Sequence, residues 1–293
     1  MVGVANNSRA ENDAFVALAR HFASHTLPVP IIYSYKPNEC VYLEQDLGQT
    51  TLLDFLLAER SKTGQAFPAT VEEVYKKALW NLPRFQMEAA ATLDFTMCFG
   101  SNSVFSTILA HDMKSFAHEL VGRLLPSYDT EALNKDFATL LAHLGQTRSE
   151  YFLYRDFQSR NIMLVNGEPY FIDFQSGLKG PLQYDVISLL YQSSAKIPEH
   201  HRESLVEDYL HAVAGHAPCD RDEFFKYYPA FIVSRMLQVL GVYGRQGLGA
   251  NKEYFAKSIP AALHTLNNEL QSPRIGVRLE GLLACSEALL KSI

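Results

Sequence analysis

The sequence predicts an α+β fold in which a small α/β lobe precedes a larger, mostly helical lobe carrying one β-hairpin. Three observations predict it. Up to about residue 44, short apolar runs of strand length surround a single amphipathic helical pattern. From Thr51 onward, apolar residues recur at helical spacing in one segment after another. Within that helical stretch, two β-type runs flank Asn166-Gly167. This pair is the strongest short hairpin signal, because a type I′ turn needs φ > 0 at both central residues.

Residues 1–6 read as a short strand. Ser8-Arg9-Ala10-Glu11 fits a capping box, with Ser8 as N-cap and the Glu11 side chain reaching back to it. The helix that follows runs to about His25, with Phe15, Leu18, Ala19 and Phe22 on one buried face, and Pro28 and Pro30 end it. Residues 31–35 and 40–44 read as strands around a Pro37-Asn38 turn. Residues 51–60 are helical, 61–68 are loop, and 71–91 form a longer helical pattern that Pro83 should kink or end. Trp80 and Phe85 are assigned to the core. An irregular stretch, 93–103, leads to helices over 105–125 and 131–144, the second closed by Gly145. After the hairpin, helices are expected over 185–192, 202–215, 222–243, 252–270 and 279–291, with Pro229 kinking or splitting the third. The aromatic group Phe224, Phe225, Tyr227, Tyr228 and Phe231 reads as core.

Composition narrows the function classes. The 293 residues allow one large domain or a two-lobed fold. The formal charge is −6 and no Lys/Arg run stands out, which argues against a nucleic-acid partner. The apolar stretch 229–243 is broken by Arg235 and is too short to span a membrane, and no signal peptide is visible. Cys40, Cys98, Cys219 and Cys285 are scattered, as thiols in a reducing cytoplasm would be. No histidine stands in a metal-ligand spacing such as H-E-x-x-H.

The chemistry is concentrated in residues 151–185. With Asn166 and Gly167 at the turn, Val165 faces Glu168, Ile162 faces Phe171, and Asn161 faces Ile172. Asp156, Asn161 and Asp173 then meet at the open end of the hairpin. A regular ladder would send Asn161 and Asp173 to opposite faces, so the ladder must end or bulge there if both are to reach one ion. An Asp, an Asn five residues on, and an Asp at a hairpin end is the arrangement protein kinases use. Asp156 is the expected base for an attacking hydroxyl, and Asn161 and Asp173 the expected ligands of Mg²⁺, a hard cation that takes oxygen donors. The phosphate donor is ATP or GTP.

Tyr154-Arg155-Asp156-Phe157-Gln158-Ser159-Arg160-Asn161, Phe171-Ile172-Asp173-Phe174-Gln175, and Gly180-Pro181 followed by Tyr184-Asp185-Val186 resemble the aminoglycoside phosphotransferase and choline kinase-like family. The resemblance is closest to bacterial amino-sugar kinases of cell-wall recycling. The family's usual His-Gly-Asp is here Tyr-Arg-Asp, which leaves the base in place. The resemblance implies a protein-kinase-like two-lobed fold with a truncated N-terminal lobe: residues 1–47 as partial N-lobe and hinge, 48–293 as C-lobe. It implies that backbone groups of Glu44, Gln45, Asp46 and Leu47 bind the purine edge, and that Asp185 braces the catalytic loop. The expected activity is transfer of the γ-phosphate to a hydroxyl of a small molecule, a sugar or amino sugar. The resemblance leaves no room for a Gly-rich phosphate loop, and the expected third strand, residues 2–5, lacks the phosphate-gripping lysine. Those departures favour the alternative, a nucleotide-binding pseudokinase or an inactive truncated kinase. Arg160 and Gln175 flank the site and either touch ligand or brace the loop.

Overall fold

The structure, a computed structural model, describes residues 1–100 and 103–293. By compactness the chain divides into two units, Met1–Ser103 with Ser149–Cys219, and Val104–Arg148 with Asp220–Ile293. The N-terminal strands and the hairpin segment thus share a unit, whereas the lobe boundary expected from the sequence lies at residue 47.

Val2–Ala5 (β1), Ile32–Lys36 (β2) and Val41–Glu44 (β3) form an antiparallel sheet in the order β1-β3-β2. Arg9–Ser24 (α1) runs between β1 and β2 and lays Phe15 against Tyr42, ring centroids 5.2 Å apart. Buried Asn12 sews this helix to the strand ends by donating to the carbonyls of Asn6 and Cys40. The expected capping box is half made. Ser8 Oγ accepts from the Glu11 amide at 3.3 Å, but the Ser8 amide donates to Asn6 Oδ1 at 3.0 Å. Asn6 has displaced the Glu11 carboxylate, which is free to turn elsewhere.

Leu52–Thr63 (α2) does carry a full capping box, Thr51 with Asp54, and ends at Gly64 with φ 72°. Ala69–Pro83 (α3) passes into a π-turn over Arg84–Glu88 and a 3₁₀ turn over Ala89–Thr92. Pro83 removes one amide from the ladder, and a wider turn follows it rather than a break. Phe85 is buried, but Trp80 is 52% exposed. Its core assignment fails because the buried stripe is Val71, Val74, Tyr75, Ala78, Leu79 and Leu82, and Trp80 shares the opposite face with Glu73, Lys76 and Lys77. The irregular stretch 93–103 contains a 3₁₀ turn at Phe95–Met97, and its residues 101 and 102 lie outside the described residues.

Phe105–Phe116 (α4) continues through a π-turn into Gly122–Leu124 (α5), and Thr130–Leu144 (α6) follows. Tyr151–Leu153 (β4), Ile162–Val165 (β5), Glu168–Phe171 (β6) and Leu178–Gly180 (β7) make two ribbons, β4-β7 and β5-β6. Leu182–Leu190 (α7) and Glu199–Ala214 (α8) complete the first unit, with α8 packed on α3. In the second unit Arg221–Tyr243 (α9) is flanked by α4 and runs through Pro229 as one helix. The helix expected over 252–270 is two, Glu253–Ala256 (α10) and Ile259–Gln271 (α11). Pro260 sits in the first turn of α11, where its missing amide needs no partner. Glu280–Ser292 (α12) packs on α11 and α6. The aromatic group of α9 is buried except Phe225, which is 37% exposed. Among the described residues no helix is long and apolar enough to cross a membrane.

Candidate functional site

The β5–β6 hairpin has the expected register, with Val165 opposite Glu168 and Ile162 opposite Phe171. Asn166 and Gly167 have φ of 53° and 82°, as a type I′ turn requires. Segments from earlier in the chain tie down both ends of its pairing. The Leu164 amide donates to the Thr50 carbonyl at 2.9 Å, and the Phe171 amide to the Pro28 carbonyl at 2.8 Å.

The ladder ends at Asn161, whose carbonyl accepts from the Ile172 amide at 3.1 Å. The next residue, Asp173, turns with φ 70°. This left-handed residue solves the facing problem, because it swings the Asp173 side chain back toward Asn161. Asn161 Nδ2 donates to Asp173 Oδ2 and to the Asp156 backbone carbonyl, both at 2.9 Å. The structure therefore brings together the loop carrying Asp156 with Asn161 and Asp173.

The loop from Asp156 to Asn161 is held from beneath. Asp185, fully buried on α7, accepts from the amides of Tyr154 at 2.7 Å and Arg155 at 2.9 Å. Arg155 has φ 77°, a conformation that favours glycine, which is the residue usual at this position in the resembled family. Tyr154 Oη donates to the Ile172 carbonyl at 2.5 Å, joining the start of the loop to the strand before Asp173. Midway, the Ser159 amide and hydroxyl both donate to Gln192 Oε1, at 3.0 and 2.7 Å. Gln86 Nε2 lies 3.4 Å from Asp185 Oδ2, and Tyr209 Oη donates to Gln86 Oε1 at 2.7 Å.

Sequence reasoning missed Gln86, Gln192 and Tyr209. Gln86 carried a faint signal, a polar residue beside Phe85 in an apolar-periodic stretch. Gln192 and Tyr209 carried none, because a buried hydrogen-bond partner far along the chain looks like any polar helix residue.

Burial pushes the Asp173 carboxyl above its ordinary value; the Gln175 amide opposes this, Asp156 and Glu11 reinforce it, and Asn161 opposes it again. Gln175 Nε2 donates to Asp173 Oδ1 at 2.9 Å and to Glu11 Oε1 at 3.3 Å. The Glu11 carboxylate that Asn6 displaced from the helix cap ends here. Gln175 Oε1 is buried without a hydrogen-bond partner.

These groups fit a hard cation. The Asn161 amide nitrogen is engaged, which leaves its Oδ1 available beside the Asp173 carboxylate. Among the described residues no group of three or more His, Cys, Asp or Glu side chains gathers as a metal centre. A cation here would take few protein oxygens and complete its shell with phosphate and water, as Mg²⁺ does.

The expected hinge lies on the same unit. The Gln45 amide donates to the Ile31 carbonyl at 2.9 Å, so it is not available to a base, and Asp46 Oδ1 accepts from the Gly48 amide at 3.0 Å. Glu44 Oε2 is buried without a partner, and burial pushes its carboxyl above the ordinary value. Leu47 is buried.

The fold is protein-kinase-like. The chain superposes on choline kinase LicA from Streptococcus pneumoniae with TM-score 0.58 at 12% identity, covering 91% of this chain and 85% of that one. It also superposes on the amicoumacin kinase hAmiN, solved with AMP-PNP, Ca²⁺ and Ami, with TM-score 0.56 at 15% identity, covering 94% and 82%. Residues 4–221 match the phosphotransferase enzyme family APH, and the chain belongs to that family. It is 29% identical over 230 residues to the N-acetylmuramate/N-acetylglucosamine kinase of Neisseria meningitidis serogroup B, covering 75% of this chain and 64% of that protein. It is 26% identical over 238 residues to the kinase of the same name from Pseudomonas aeruginosa, covering 79% and 65%. The chain thus spans 64–65% of the length of these curated relatives.

Proposed function

We propose that this chain is a Mg²⁺- and nucleotide-dependent phosphotransferase acting on a hydroxyl of a small molecule, an amino sugar of the N-acetylmuramate or N-acetylglucosamine type. One observation carries the reading. Asn161 donates at 2.9 Å to both the Asp156 carbonyl and the Asp173 carboxylate, joining the base loop to the metal strand through one side chain. The names of the curated relatives support the acceptor class. AMP and AMP-PNP in the fold neighbours support an adenine nucleotide over a guanine one.

In this reading Asp156 orients the acceptor hydroxyl and takes its proton, help typically worth ~10²–10⁴ in rate. Asn161 and Asp173 hold Mg²⁺, which when bound neutralises charge on the phosphates. The Asp185 brace and the Gln192–Ser159 bonds keep Asp156 and Asn161 at fixed separation, so that orientation is established before substrate arrives. Residues 1–47 serve as partial N-lobe and hinge, with the backbone of Asp46 and Leu47, beyond the paired strand residue Glu44 and the engaged Gln45 amide, as the candidates for the purine edge, and 48–293 carry the chemistry. The four cysteines, none in a disulfide, support a cytoplasmic setting.

A second reading, a nucleotide-binding pseudokinase, is favoured by one observation: β1 carries no lysine and Glu11 is bonded to Gln175 instead. Calorimetry with Mg²⁺-ATP, followed by a transfer assay on N-acetylated amino sugars, separates the two. The enzyme reading expects binding that needs Mg²⁺ and is lost in Asp173→Ala, with transfer lost in Asp156→Ala. Binding without transfer to any acceptor establishes the pseudokinase. No binding refutes both.

A further inference from the structure

Asp173 is gripped on both oxygens by amides. Asn161 Nδ2 holds Oδ2 and Gln175 Nε2 holds Oδ1, each at 2.9 Å. The two grips lead to different places. Asn161 belongs to the loop after Asp156. Gln175 Nε2 also donates to Glu11 Oε1 at 3.3 Å, in the first turn of α1. The Gln175 backbone is itself fixed, its carbonyl accepting from the Phe99 amide at 2.9 Å. One carboxamide therefore stands between two carboxylates that repel each other, and it donates to both. Glu11 is available because Asn6 serves the Ser8 amide in its place. β1, whose sequence is VGVA, offers Glu11 no cationic partner.

We propose that Gln175 is a positioning residue of the phosphotransfer site, a tether that couples helix α1, through Glu11, to the metal ligand Asp173. The proposal rests on the reading that Asp173 holds Mg²⁺. Asp173 sits at φ 70° at the end of a hairpin, and nothing in a left-handed turn fixes the rotation of its carboxylate. The two amides do. With Gln175 removed, Asp173 is held from the loop side alone, and α1 loses its bond to the site. Coupling is reciprocal: a cation that orders Asp173 firms α1, and whatever loosens α1 weakens the cation. Glu11 acts in this as an acceptor, not as a charge.

The test uses Gln175→Met, which keeps side-chain length and removes both donors, with Gln175→Ala as a second variant. Two quantities are read on the full chain: amide hydrogen exchange across the first turns of α1 without ligand, and the Mg²⁺ concentration needed to bind ATP in calorimetry. Both variants should exchange about tenfold faster in α1, the upper end of the effect of losing one ordinary hydrogen bond. Both should need about fivefold more Mg²⁺, the low end of coupling between sites. Glu11→Ala should reproduce both changes, and Glu11→Gln, which keeps an acceptor, should restore most of each. Wild-type exchange and wild-type Mg²⁺ dependence in Gln175→Met overturn the tether. So does a Glu11→Gln variant as impaired as Glu11→Ala, because charge would then be what matters. A wild-type chain that binds no Mg²⁺-ATP overturns the phosphotransfer reading and the proposal with it; binding that is indifferent to Gln175 overturns the proposal alone.

Discussion

The carboxylate of Asp185 holds the backbone of Arg155 in the left-handed region: Oδ1 accepts from the Arg155 amide at 2.9 Å while Oδ2 takes the Tyr154 amide at 2.7 Å. Removing this buried carboxylate leaves two amides without an acceptor beneath the loop that runs from Asp156 to Asn161. Asp185→Ala should lower unfolding free energy by about 3 kcal/mol, the scale of hydrogen bonds to a charged group together with the orphaned donors. Asp185→Asn keeps one of the two acceptor oxygens and should lose less. Urea unfolding of the two variants against wild type checks the order.

Arg155 itself carries a backbone cost. With φ 77°, an L-residue is disfavoured by roughly 1–2 kcal/mol and a β-branched one by more. Arg155→Gly should therefore be at least as stable as wild type within about 1 kcal/mol, since relief of strain offsets the freedom glycine adds to the unfolded chain. Arg155→Val should be clearly less stable than Arg155→Gly. Denaturation midpoints of the pair decide this; equal midpoints would show that the loop relaxes out of the left-handed region.

In the second unit, His143 is buried against Tyr227, ring centroids 4.9 Å apart, and burial, then Lys226, push its imidazole below the ordinary value of 6.5. The folded chain then resists a proton that the unfolded chain accepts. Stability contributed by neutral His143 is complete above pH 6.5 and is lost as pH falls from there toward the depressed folded value. The loss of stability between pH 7.5 and 5.5 should be smaller in His143→Leu than in wild type. Urea midpoints at the two pH values give the comparison.

The thiols should divide into two classes. Burial, aided at Cys98 by Asp94, pushes Cys98 up to about 12, and burial pushes Cys285 up to about 11. Cys40 and Cys219 are partly exposed. At pH 8 a thiol-specific reagent should label Cys40 and Cys219 in the native protein, and Cys98 and Cys285 after denaturation, as mass spectrometry of the labelled peptides will read.

The hairpin was legible because Asn166-Gly167 leaves its turn one register, and a period of two then places every partner. The long helices were legible from period alone, to within a few residues at their ends. What escaped depends on distant partners. Three-residue ribbons such as β4-β7 are too short for periodicity to register. Trp80 looked like core because size suggests burial, while its position on the charged face of α3 says otherwise. Glu11 matched a capping box by spacing, yet nothing local reveals that Asn6 competes for the same amide or that Gln175 waits across the fold. The meeting of Asn161 and Asp173 was foreseen as a need for an irregular ladder; that the device would be a left-handed Asp173 was not encoded in any residue preference.

The bonds at the ends of the hairpin pairing have a consequence for assembly. A two-residue turn lets β5 and β6 zip in microseconds from neighbouring residues. The amides of Leu164 and Phe171 instead close onto carbonyls more than a hundred positions earlier, at Thr50 and Pro28. Such closures come late, after intervening helices have shortened the path between their ends. A refolding chain therefore acquires its hairpin first and these long-range ties last. Pulse-labelled exchange should protect the amides that pair β5 with β6 before those of Leu164 and Phe171.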